Sequence, residues 1–164
     1  MSEAAHKRQL KEYLYRLLKN DRDFIMTMVN NNGILLRYAD EIFRGDKEVV
    51  MTAVTNNGMA LHYVNEKLQD DRDVVMAAVI NSGFALQAVS GRLGDDKEVV
   101  MTAVAKYGNI LKYASYRLRK DKEVVLTAVY NDHHAIIHAL DEIRYDKYFI
   151  LALALKRIIF RRFR

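Results

Sequence analysis

The stretch that decides the fold runs Asp46-Lys47-Glu48-Val49-Val50-Met51-Thr52-Ala53-Val54-Thr55-Asn56-Asn57-Gly58-Met59-Ala60-Leu61-His62-Tyr63. It returns along the chain without insertions. Asp21, Asp46, Asp71, Asp96, Asp121 and Asp146 stand 25 residues apart, and Gly33, Gly58, Gly83 and Gly108 keep the same register. The fifth copy has His133 in place of the glycine. Leu36, Leu61, Leu86, Leu111 and Ile136 follow, then Tyr38, Tyr63, Ala88, Tyr113 and His138. A unit this short cannot bury its own apolar face, so tandem copies must stack on one another.

Each copy reads as two short helices. The Asp suits an N-cap, because its carboxylate can accept from the orphan amides of the first turn. An acidic residue two places later (Asp23, Glu48, Asp73, Glu98, Glu123) suits the positive end of the helix dipole. Val49, Val50, Ala53 and Val54 give that helix a wide apolar surface, so it should be buried. Asn56-Asn57-Gly58 is then expected to stop it, with glycine taking the left-handed conformation at no Cβ cost. Ala60, Leu61, Val64 and Leu68 predict one face of a second helix. The expected object is an all-α solenoid of about five tandem 25-residue helix–turn–helix repeats with atypical terminal helices.

The string over residues 46–63, with Leu68 after it, resembles a helical-repeat family of unknown function common in large DNA viruses and protists. The likeness extends over residues 21–145. It implies a helical-repeat fold and a viral or protist setting, and it brings no catalytic residues.

The ends differ from the middle. A single domain over residues 1–164 is expected, made of an N-terminal cap helix over 1–20, five repeats over 21–145 and a C-terminal helix with a basic tail over 146–164. Shifted by one period, Tyr13 and Leu18 match Tyr38 and Phe43. The sixth copy keeps Asp146 and Lys147, then turns into Tyr148-Phe149-Ile150-Leu151-Ala152-Leu153-Ala154-Leu155 with no glycine stop. That helix either caps the stack or offers an apolar surface that something else completes.

Composition removes several classes of chemistry. The chain has 164 residues, no Cys and no Pro, which excludes disulfides, thiolate-bound metals and thiol nucleophiles. No apolar run is long enough to span a membrane, and Met1 to Leu10 lacks a signal-peptide segment. An intracellular protein is expected: cytoplasmic, or in the virion or infected cell if viral. The net charge of +5 belongs to residues 146–164, which hold six basic residues against Asp146; the rest of the chain carries 20 of each sign. Ser2, Ser82, Ser90 and Ser115 stand in no nucleophile turn, and no Gly-rich loop could cradle phosphate. The chain therefore reads as a non-enzyme with no cofactor and no small-molecule substrate.

The fifth copy concentrates histidine. His134 and His138, at i and i+4, would share one face of an α-helix, a spacing used for zinc. Each also has a plain reading, since His134 occupies a varied position and His138 the Tyr slot, so no metal is expected there. Histidines in this range can also make a pH-sensitive seam. The basic residue after each Asp (Arg22, Lys47, Arg72, Lys97, Lys122, Lys147) predicts a solvated row of inter-repeat ion pairs.

Positions that vary between constant neighbours are candidates for recognition. One runs Asn30, Thr55, Ile80, Ala105, Tyr130, a second Ile34, Met59, Phe84, Asn109, His134, and a third Arg37, His62, Gln87, Lys112, Ile137. From these, Ile80, Phe84, Tyr130, His134 and Ile137 form the expected protein-binding set, for a protein partner or self-association. A basic set of Lys112, Arg117, Arg119, Lys120, Lys156, Arg157, Arg161, Arg162 and Arg164 is the expected contact for nucleic acid. The same tail, behind the apolar 148–155, gives membrane-surface attachment as a lesser alternative.

Overall fold

The computed structural model describes residues 21–162, and side chains from 21 to 155. The expected cap helix over 1–20 lies outside them. Six long helices recur at the repeat period: α1 (Arg22–Asn31), α2 (Lys47–Asn56), α3 (Arg72–Asn81), α4 (Lys97–Lys106), α5 (Lys122–Asn131) and α6 (Lys147–Arg162). No strand occurs among the described residues. Every one of the six Asp residues caps its helix. Asp71, for example, accepts from the backbone amides of Asp73 and Val74, and Asp146 from those of Tyr148 and Phe149. The architecture is an all-α solenoid, each long helix packed beside its neighbours.

The second half of each copy departs from the expected single helix. Gly58–Tyr63 is a six-residue 3-10 helix, the chain then extends at Val64, and a separate turn forms over Glu66–Gln69. The same break occurs in the other four copies. A 3-10 helix repeats every three residues, and Gly58, Leu61 and Val64, spaced by three, are all buried. Gly33, Leu36 and Ala39 in the first copy and Gly108, Leu111 and Ala114 in the fourth obey the same count. Ala60, Leu61, Val64 and Leu68 are indeed buried, but they reach the core from three backbone segments.

The glycine has a different job from the one expected. No described residue takes a positive φ. A Cβ on Gly58 would collide with the carbonyl oxygen of Ala78 in the next copy, and one on Gly33 with that of Ala53. The helix already ends on the extended Asn57. Glycine is there so that the backbones of two copies can touch, and Ala at the facing position keeps the other side small.

Burial along the long helices shows which way each position looks. In α1 the third and seventh residues after Asp21, Phe24 and Met28, are half-buried, while the fourth and eighth, Ile25 and Val29, are closed off. In α6 Phe149 is buried and Ile150 exposed. The first pair of positions therefore faces the preceding copy and the second pair faces the following one. In α2, α3 and α4 both pairs are fully buried valine and alanine.

Candidate functional site

Polar contacts between neighbouring copies fall into three columns. The first is the expected ion-pair row. Lys47 Nζ reaches Asp71 at 2.7 Å and Asp73 at 3.5 Å; Lys97 reaches Asp121 at 2.9 Å and Glu123 at 2.8 Å. Arg22 spans Asp46 and Glu48, and Arg72 spans Asp96 and Glu98. The Lys47 ammonium holds the Asp71 carboxyl below its ordinary value, and the Lys122 ammonium does the same to Asp146. At Asp121 burial works against ionisation, and Lys97 with the helix amides outweighs it. These pairs are solvated and individually weak.

The second column is absent from the sequence-based expectations. Asn56 donates from Nδ2 to the Asn30 carbonyl at 2.8 Å and accepts at Oδ1 from the Gly33 amide at 2.8 Å. Asn81 bridges the Thr55 carbonyl and the Gly58 amide, and Asn131 the Ala105 carbonyl and the Gly108 amide. Each Asn thus satisfies two backbone groups of the preceding copy. The fourth copy has Lys106 there, which donates to the Ile80 carbonyl only. The signal is an Asn held two residues before the glycine, a pattern that reads equally well as part of a helix stop.

The third column lies at the copy ends. Ser90 donates to Asp70 at 2.6 Å, and Arg92 Nε lies 3.0 Å from the same carboxylate. Ser115 and Arg117 repeat this on Asp95. Ser90, ahead of Arg92, holds the Asp70 carboxyl below the usual range. So Ser90 and Ser115 are junction residues.

The last junction differs from these. His133 replaces the glycine, and the residue one period beyond Ala128 is Leu153. Both small members of the close contact are therefore large. Lys122 still meets Asp146 at 2.6 Å, and Phe149 is still only 3% exposed. Leu153 on the same side is half-buried, while the side that faces away from the fifth copy is uncovered. Ile150 is 48% exposed, whereas its counterparts Val50, Val75, Val100 and Val125 are fully buried. Leu151 and Leu155 are exposed, as are Tyr145 and Tyr148. Val129 and Ile136 in the copy beneath are half-buried. Lys147, the next member of the basic row, lies over the ring of Tyr148 at 4.9 Å.

The expected protein-binding residues divide. Ile80, Tyr130 and Ile137 are 56%, 55% and 60% exposed, and His134 is exposed too. Phe84 is half-buried and stacks on Tyr107 of the next copy, ring centroids 4.4 Å apart. Tyr130, His134 and Ile137 share the copy under the uncovered part of α6; Ile80 and Phe84 lie two copies away. Of the expected basic set, Arg117 is held by Asp95, and Arg119 donates to the His138 carbonyl at 2.7 Å. Lys112 sits over Tyr113 and Lys120 over Tyr116. The side chains of Lys156, Arg157, Arg161, Arg162 and Arg164 lie outside the described residues.

His134 and His138 lie on the 3-10 helix His133–His138, where i and i+3 eclipse, so the i, i+4 pair lacks the α-helical face it needs. The nearer cluster is Asp132, His133 and His134, whose ligand atoms lie within 4.8 Å of one another. Such a carboxylate and two imidazoles suit a borderline metal such as zinc. Asp132 already works as an N-cap, accepting from the His134 amide at 3.0 Å, as Asn32 and Asn57 do in their copies. His138 is half-buried; burial, then the charges of Lys112 and Arg119, lower its pKa below 6.5. A shallow depression of about 480 Å³ between α1 and α2 is lined by Asn30, Met51, Thr52, Thr55 and Asn56. Those side chains offer amides, hydroxyls and a thioether, with no acid–base pair.

The comparisons with known proteins agree with the repeat. The family described as "Domain of unknown function (DUF4116)" matches residues 12–44, 46–93 and 96–144. Each of the two longer matches takes in nearly two 25-residue copies. No curated protein and no solved structure matches the chain. No helix among the described residues is long and apolar enough to cross a membrane. The chain belongs to this family of unknown function.

Proposed function

We propose that this member of the family is a non-catalytic scaffold whose task is to bind protein or to assemble. One observation carries the reading. In α6 Ile150 is exposed where inner copies bury valine, and Leu151 is exposed where they hold half-buried methionine or leucine; Leu155, exposed like its counterparts, extends the same surface. Exposed apolar residues gathered on one element mark interaction sites more often than scattered ones do. Tyr130 and Ile137 extend the apolar character onto the copy beneath. The polar contacts of the inner copies support the same reading, because they are spent on joining copies rather than on shaping a cleft.

The test is quantitative capture by the intact chain, compared with Ile150→Glu and Leu151→Glu. Both residues are exposed, so the fold survives the change and circular dichroism checks it. Loss of a saturable protein interaction in both variants supports the reading. Equal binding by the variants, or no protein ligand at all, overturns it.

A nucleic-acid reading rests on the basic tail and the fourth copy. With Arg117 and Arg119 engaged inside the stack, that reading depends mainly on residues 156–164. Phosphate-driven binding would fall steeply with salt and vanish on deleting them.

A further inference from the structure

We propose that Asp132, His133 and His134 bind one borderline divalent cation, with zinc the best fit, at the turn that ends the long helix of the fifth copy. The three residues are consecutive, and all three depart from the other copies toward metal donors. The carboxylate of Asp132 stands where the first two copies have the amides of Asn32 and Asn57. His133 stands where the four preceding copies have glycine, and His134 where they have three apolar residues and Asn109. None of the residues so replaced offers an imidazole or a carboxylate.

The turn brings the donors to one side. Asp132 Oδ1 lies 3.3 Å from His134 Nδ1. Two ligands of a tetrahedral zinc, each bonded at about 2.0–2.1 Å, stand about 3.3 Å apart, so this pair already spans one edge of a coordination shell. The rings of His133 and His134 lie side by side with centroids 3.9 Å apart, and one ligand atom from each of the three residues falls within 4.8 Å of the others. His133 is exposed and its ring nitrogens bond nothing among the described residues, so a rotation that closes the remaining gap breaks no hydrogen bond. Asp132 is held in place by the His134 amide at 3.0 Å, as outer hydrogen bonds orient ligands in metal centres, and its carboxylate has lone pairs left for a cation. Two nitrogens and an oxygen favour a borderline cation over magnesium or calcium, which take oxygen shells. Three protein ligands leave a coordination position for water.

Only the last junction has room for such a set. At inner junctions a Cβ at the glycine position meets the next copy's backbone, as at Gly58 against Ala78. The side chain of His133 reaches solvent instead. The asparagine that ties Gly33, Gly58 and Gly108 is missing as well, because the residue one period after Asn131 is Lys156. The cation thus holds the last turn, a task that falls to the next copy's asparagine at those inner junctions.

The experiment is calorimetric titration of the untagged, chelator-treated full chain with zinc chloride. Three variants restore residues of other copies: Asp132→Asn, His133→Gly and His134→Asn. Asn32, Gly33 and Asn109 hold these positions elsewhere, so the repeat tolerates them, and circular dichroism checks the fold. The natural chain should bind one zinc. Each variant should bind it at least about tenfold more weakly, the loss that removing even an outer partner brings. His138→Tyr should leave binding unchanged, and excess magnesium should not compete. Zinc should also slow amide exchange across residues 132–138. A chain that binds no zinc overturns the proposal. So does binding that survives Asp132→Asn and His133→Gly, which places the cation on other histidines. Binding that His138→Tyr removes overturns it too, since the cation then sits on the i, i+4 pair.

Discussion

The junction between the second and third copies and the junction between the fifth and sixth use the same first contact and part company after it. Both begin with an Asp-capped helix and a lysine bridge, Lys47 to Asp71 in one and Lys122 to Asp146 in the other. In the first, Gly58 and Ala78 then let the backbones touch and Asn81 ties Gly58 down. In the second, His133 and Leu153 occupy those places. The difference shows that surface charge sets the register of a copy, while small residues decide whether it closes. Where only the bridge remains, Val129 and Leu153 on the facing sides are left half-buried.

Replacing the inner glycine should break the distinction most directly. Gly58→Ala forces a Cβ against the Ala78 carbonyl and should cost about 3 kcal/mol, at the upper end of overpacking penalties, read from urea unfolding. The reverse change at the last junction, His133→Gly, relieves nothing already in contact and should cost no more than about 1 kcal/mol, the entropy of the added glycine. Equal responses at the two sites would remove the argument. His133→Gly combined with Leu153→Ala should let α6 close down, seen as slower amide exchange across residues 150–155.

The asparagine column comes next in size. Asn81→Ala leaves the Gly58 amide without its acceptor and should cost about 1–3 kcal/mol. Lys106→Asn should stabilise the junction that lacks the amide by about 1 kcal/mol, by giving Gly83 an acceptor. Thermal unfolding of both variants checks the pair.

The ion-pair row should matter least near neutrality. Lys47→Ala should lower the thermal unfolding midpoint only slightly, because the pair is solvated, and Lys147→Ala should leave monomer stability unchanged. Acid exposes the row collectively. The folded carboxyls of Asp71 and Asp146 lie below their ordinary value, so their stabilisation is complete above that value and is lost as pH falls through the folded ones. An acid unfolding curve of Lys47→Ala should therefore be shallower than that of the natural chain.

His138 gives the smallest and most local effect. Its pKa is lowered on folding, so the unfolded chain takes up its proton first as pH drops. Stability should fall as pH drops below about 6.5, the ordinary histidine value, and level off beneath the folded value. His138→Tyr, the residue of three other copies, should flatten that slope in melts across this range.

Much of this is legible in the chain itself. The Asp caps, the buried valines and the basic row follow from charge and periodicity within or between adjacent copies. The 3-10 segments are harder, because Ala60, Leu61 and Val64 fit a 3.6-residue period as readily as the three-residue count that Gly58, Leu61 and Val64 obey. The asparagine and glycine roles escape the sequence for a common reason. Each acts on a backbone group that lies 20–26 residues away in sequence, and a local reading gives such residues a local task. The exposed side of α6 is visible there only as a choice between cap and interface, since that side faces away from the fifth copy and a local pattern does not say what meets it.

The offsets of the ion-pair row, the asparagine column and the glycine contact carry a consequence for how such a protein can change length. Lysine to acid, asparagine to glycine amide, and glycine to alanine are each fixed to the same 25-residue step. Removing or duplicating one whole step leaves every remaining pair in phase. Inserting a single residue inside a step shifts at least one column against the others and leaves a backbone amide or a carboxylate facing the wrong neighbour. The molecule is therefore quantised in length: tolerant of large edits that respect the step and intolerant of small ones that do not.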